Sequence, residues 1–123
     1  MKALLMVFLG GGLGSVLRYA ISKYLNQLPL QLPLGTLTVN IVGSLLLGLF
    51  LGIALKGGQL SNNLVLFLAT GFCGGFTTFS TFAFENQEFL KAGDYFHFSV
   101  YTLGSLIAGF TAIFIGLYLS KLV

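Results

Sequence analysis

The residues that could do chemistry in this chain are few, and all of them lie inside or beside apolar runs. Arg18 falls in the first run and Asn40 in the second; the third holds Thr77, Thr78, Ser80, Thr81, Glu85 and Glu88, and the fourth holds His97, Tyr101, Thr102, Ser105 and Thr111. Polar groups at membrane depth cost free energy, so their presence points to function. No pair of carboxylates falls mid-run, no His/Cys group has metal-ligand spacing, and no serine has a His/Asp constellation beside it. General acid–base and nucleophilic catalysis therefore lack their usual players, and the chain reads as a non-enzyme. Donors outnumber charges in the interior, which suits a small anion better than a cation, for which acidic rings are expected. Asn40 offers an amide in an otherwise apolar run, and Tyr101 and Ser105, four apart, form a hydroxyl strip on one helix face.

The third run carries the unusual segment GFCGGFTTFSTF, with three glycines and a TTFST cluster near the expected bilayer centre. Two outcomes are open. Either the helix breaks over Gly74 to Thr77, freeing carbonyls that must find donors or a cation, or it continues and its hydroxyls bond back to the preceding turn. Phe79 and Phe82, three apart, share a helix face, with Phe76 one turn earlier. Their positive ring edges can accept an anion without holding it tightly, and ordinary packing is the other reading. Cys73 is the single cysteine, which excludes an intrachain disulfide and a multi-Cys metal site. It reads as a small buried hydrophobe, and His97, near a helix end, as a solvated or satisfied histidine.

The elements that must position these groups follow from composition. Of 123 residues, 56% are hydrophobic and 7% charged, against about a quarter charged in a soluble domain; mean hydropathy is +0.96. This is the profile of a membrane protein, and it excludes disorder, nucleic-acid binding and a disulfide scaffold. A span needs roughly 20 residues, so one all-α domain, 1–123, has room for four spans, at about 3–24, 35–55, 63–89 and 96–120. The gaps hold Pro29 and Pro33, then KGGQLSNN, then KAGD, whose Asp94 is placed to cap the last helix. The first run has only Lys2 as a charged leader and is interrupted by glycines, so it reads as a retained span. Glycines four apart, Gly10 with Gly14, Gly48 with Gly52 and Gly71 with Gly75, allow close helix contact. Lys2, Lys56 and Lys121 fall on one side and Lys23 and Lys91, with Arg18 if it reaches the surface, on the other, so the positive-inside rule gives no bias. Either one orientation is fixed by other signals or the chain inserts both ways, which permits an antiparallel homodimer.

Three stretches, GGGLGSVLRY, PLGTLTVNIVGSLLLG and GFCGGFTTFSTF followed by Glu85, resemble the signature stretches of the Fluc (CrcB) fluoride channels. Length, four spans and gap positions match as well, so the resemblance covers nearly the whole chain; Ser15 stands where alanine is usual. The resemblance implies a multi-pass protein of the bacterial cell membrane, assembled as a dual-topology, antiparallel dimer with two fluoride pores and a structural sodium ion at its centre. It further implies that Gly74 and Thr77 of each subunit supply backbone carbonyls to sodium, that Phe79 and Phe82 line the pores, and that Asn40 orients them and donates to fluoride. Arg18 matches an arginine of the aqueous vestibule, Ser80 and Thr81 the polar neighbours of the phenylalanines, and Glu85 an acid beside the pore. Tyr101 and Ser105 match the start of a polar track, and Gly109 stands where the next hydroxyl often is. The implied activity is passive export of fluoride, which lowers its toxicity. A small multidrug-type transporter is the competing four-span reading, but it needs an acid in the first span and residues 3–24 contain none. An accessory subunit would give the polar interior, Asn40 included, no role.

Overall fold

The computed structural model describes residues 1–29 and 31–123. Helices cover Lys2–Leu25, Leu34–Leu55, Asn62–Lys91 and Tyr95–Ser120, and each is long and apolar enough to cross a membrane; no strand occurs among the described residues. The second span starts immediately after Pro33, whose missing N–H no helix needs at that place. Ser61 Oγ accepts the Leu64 N–H at 3.2 Å to open the third span, and the Asp94 carboxylate accepts the His97 N–H at 3.1 Å to open the fourth. Gly57 and Gly93 make their turns at φ +78° and +73°, a region in which a side chain would be strained.

Packing follows missing side chains. The first span lies against the first half of the third, and the second against the fourth. A Cβ on Gly10 would meet the backbone of Phe67 and Phe72, and one on Gly75 the backbone of Gly11. On the other pair of spans, Gly48 lies against the Ile113 backbone and Gly116 against Leu45 and Leu49. These are backbone-on-backbone contacts of the kind that holds helices together in lipid, where burial of apolar surface between helices brings no gain. Large side chains such as Phe8, Val16, Phe110 and Phe114 point outward, as they do when the surroundings are hydrocarbon.

The third span is interrupted, and not where its glycines suggested. After one α-turn, Asn62–Val65, it widens into π-helical turns over Leu66–Cys73 and tightens again over Gly74–Phe76. Gly74 is helical, at φ −63° and ψ −38°. The chain leaves the helix at Thr77 (φ −84°, ψ 159°) and Thr78 (φ −148°, ψ 119°), then resumes as Phe79–Lys91. The sequence expectation of a break beginning at Gly74 is corrected accordingly: two β-branched residues, which favour extended backbone, carry it. Their hydroxyls cap the two halves. Thr77 Oγ1 donates to Cys73 O at 2.9 Å, closing the first half, and Thr78 Oγ1 accepts the Thr81 N–H at 3.2 Å, opening the second. Gly71 and Gly75 serve the contact with the first span instead, while Gly74 has no neighbour within 4 Å of its Cβ position.

Candidate functional site

Two other spans hold the break in place. From the second, Asn40 bonds to both backbone groups of Thr78: its Oδ1 accepts the Thr78 N–H at 2.8 Å and its Nδ2 donates to Thr78 O at 3.1 Å. From the first, Arg18 Nε donates to Gly75 O at 3.0 Å, and Ser15 Oγ lies 3.4 Å from the same oxygen. These bonds decide which carbonyls remain without a helical donor. In an unbroken helix Gly74 O would accept from the Thr78 N–H, and Thr77 O from the Thr81 N–H. The first of these donors is turned to Asn40 and the second to Thr78 Oγ1. Gly74 and Thr77 thus present oxygens freed of their helical partners, and both line a cavity beside the break.

That cavity, about 460 Å³, is also lined by Asn40, Phe79, Phe82 and Ser105. The two phenylalanine rings lie 6.1 Å apart at 47°, and Phe82 is 5.2 Å from the Tyr101 ring at 57°. Phe79 is 79% exposed beside this mostly apolar cavity, whereas Tyr101 is buried. Ser105 Oγ is buried and, among the described residues, has no hydrogen-bond partner. Asn40 keeps a second amide hydrogen beyond the one given to Thr78.

Next to the cavity, the Glu85 carboxylate accepts from Tyr101 OH at 3.1 Å through Oε1 and from Thr36 Oγ1 at 3.0 Å through Oε2. Glu85 thereby ties the second, third and fourth spans together at one point. Of the residues singled out from the sequence, Gly74, Thr77, Phe79, Phe82, Asn40 and Ser105 share the cavity, and Tyr101 and Glu85 adjoin it through Phe82. Ser80 and Thr81 do not line it; they surround Thr78 Oγ1 at 3.4 and 3.2 Å in the cap of the second half-helix. Arg18 sits at the break.

Sequence reasoning missed three supports. Thr36 is fully buried on Glu85; its spacing of four before Asn40, on the same helix face, was the available signal. Ser15, three before Arg18, reaches the same carbonyl. Asn86 is buried, donates to Phe82 O at 3.0 Å and accepts from Thr102 Oγ1 at 2.8 Å, fastening the half-helix that carries Phe82 to the fourth span.

Residues 5–117 match the family model described as CrcB-like protein, Camphor Resistance (CrcB). The chain belongs to the CrcB-like family. It is similar, at 50% identity over 98% of either chain, to the fluoride-specific ion channel FluC of Gloeothece citriformis. The FluC proteins of Chlorobium phaeobacteroides and Phocaeicola vulgatus are each 45% identical to it, over 98% of this chain and 94% and 100% of theirs. The resemblance read from the three motifs is therefore a family relationship along nearly the whole CrcB-like chain, a multi-pass membrane protein with four spanning helices.

Proposed function

We propose that this chain forms a passive, fluoride-selective channel that lets fluoride leave the cytoplasm across the cell membrane. The observation that carries the reading is the partnerless, buried Ser105 hydroxyl opening on a cavity rimmed by Phe79, Phe82 and the spare amide hydrogen of Asn40. A buried hydroxyl left without a partner costs about 1–3 kcal/mol. An anion that accepts its hydrogen removes that cost. Fluoride is small and strongly hydrated, so several modest donors in succession, with ring edges between them, replace its water without trapping it. The membrane potential then drives the anion outward, at about 2.3 kcal/mol per charge per 100 mV. No proton-coupling acid is required, and the named relatives are channels, not enzymes.

The working unit is an antiparallel homodimer. Phe79 is largely exposed beside the freed Gly74 and Thr77 carbonyls, so a second copy meeting this face would cover the ring and bring together four carbonyl oxygens. Such a donor set fits a hard cation, and a sodium ion bound there would neutralise those carbonyl dipoles and join the two copies. The near-even Lys and Arg counts support insertion in both orientations.

Liposomes holding only the purified chain test the proposal. With a potassium ionophore compensating charge, an imposed fluoride gradient should dissipate while a chloride gradient persists. Equal chloride flux, or fluoride flux that needs a proton gradient, overturns it.

A further inference from the structure

We propose that Ser44 is a second hydroxyl of the fluoride path, donating to the anion one turn beyond Asn40, from the second span, at the level where the fourth span has only Gly109. The inference rests on the channel reading above and adds a contacting residue to it. Ser44 and Gly109 line the same cavity as Asn40 and Ser105, and each pair on a span is four residues apart, so the cavity is faced by two successive turns of both helices. Within it the polar groups do not run down one helix. The fourth span offers Ser105 Oγ and then, one turn on, bare backbone.

The Ser44 hydroxyl faces that bare backbone. A Cβ built on Gly109 would find Ser44 Oγ at 3.9 Å and no other neighbour within 4 Å. Ser44 therefore presents its hydroxyl toward the fourth span at Gly109, with room left for a Cβ between them. A serine inside a helix commonly satisfies itself on the carbonyl four residues back, as Thr77 does here on Cys73. Ser44 Oγ makes no such bond, and no other partner for it is found among the described residues. Leu47 and Leu106 are its apolar neighbours along the wall. Four residues of helix rise about 6 Å, so an anion leaving the level of Asn40 and Ser105 would find no hydroxyl on the second or fourth span at the next turn if Ser44 did not donate; from the third span, Thr70 lines the same cavity.

The test compares fluoride efflux from liposomes holding the wild-type chain, Ser44→Ala, and Ser44→Ala combined with Gly109→Ser, with dimer assembly followed by size-exclusion chromatography. One hydrogen bond to a charged group is lost in the single variant, so efflux should fall at least about tenfold with assembly unchanged. The double variant should regain most of the flux, because the added Cβ has room and its hydroxyl returns a donor from the opposite wall. A role confined to packing would not be rescued from another helix. Wild-type flux in Ser44→Ala overturns the inference and leaves the channel reading standing, as does a loss that Gly109→Ser fails to restore. Absence of fluoride flux in the wild-type chain overturns both. If Ser44→Ala does not assemble, Ser44→Thr against Ser44→Val, alike in shape, decides: flux through the threonine variant alone supports the inference, and equal flux overturns it.

Discussion

Replacing Gly14 by alanine should separate the first span from the third by a calculable amount. The new Cβ would lie 2.8 Å from Phe76 N, 3.1 Å from Phe72 C and closer still to Phe72 O, all of them backbone atoms that cannot rotate away. Relaxed contacts need about 3.5 Å, so the spans must part by at least about 0.7 Å, and a gap of that size forfeits about a quarter to a half of every dispersion contact across it. Overpacking of this kind costs about 1–3 kcal/mol. Gly12, two residues earlier on the same helix, has no neighbour within 4 Å of its Cβ position, so Gly12→Ala shares the gain in helix propensity and lacks the clash. The folded-to-unfolded ratio of Gly14→Ala should therefore be about 5- to 150-fold below that of Gly12→Ala, read from far-ultraviolet circular dichroism during titration of mixed micelles with a denaturing detergent. Parting the spans also stretches the 3.0 Å bond from Arg18 to Gly75 O, so fluoride efflux should fall in the same variant. Coincident unfolding curves for the two variants would refute the account of this helix pair.

Aliphatic substitution at the two rings should separate ion path from packing: Phe79→Ile and Phe82→Ile should each cut fluoride efflux at least about tenfold with assembly intact, and near-normal flux through both removes the rings from the path. In a Cys73→Ala background, a cysteine in place of the exposed Gln59 should label with impermeant reagents from both faces of the cell membrane; labelling from one face alone excludes dual topology. Exchange of sodium for a large organic cation should weaken the dimer or its transport, most visibly in Thr77→Ala, which also loses the bond to Cys73 O. Unchanged stability and flux after prolonged sodium removal dispose of the central ion.

Four helices were legible because composition is a local property. The place of the break was not. Glycine richness drew attention to Gly74 and Gly75, yet in lipid the deciding matter is who replaces each lost backbone bond, and here the Thr78 hydroxyl takes the Thr81 N–H while an amide from 38 residues away holds the Thr78 backbone. The π-helical widening over Leu66–Cys73 has no compositional mark at all. Thr36 and Asn86 escaped for the same reason as the pairing of Asn40 with Thr78. A polar residue in an apolar run signals that a partner exists, and only the fold says which.

The pairing of the first span with the third, and of the second with the fourth, bears on how the chain is made. Gly14 and the Phe72 and Phe76 backbones it touches are about sixty residues apart in synthesis, and Gly48 and Ile113 are 65 apart. At about 5–20 residues per second, the first helix waits roughly 3–12 s in the bilayer with its glycine groove turned to lipid before its mate emerges. Neither sequence-adjacent hairpin is a finished packing unit, so a nascent chain halted in the second loop holds two unmated helices. Any quality-control protease that recognises exposed small-residue grooves has its longest opportunity in that interval, and none of the site around Thr78 exists until it closes.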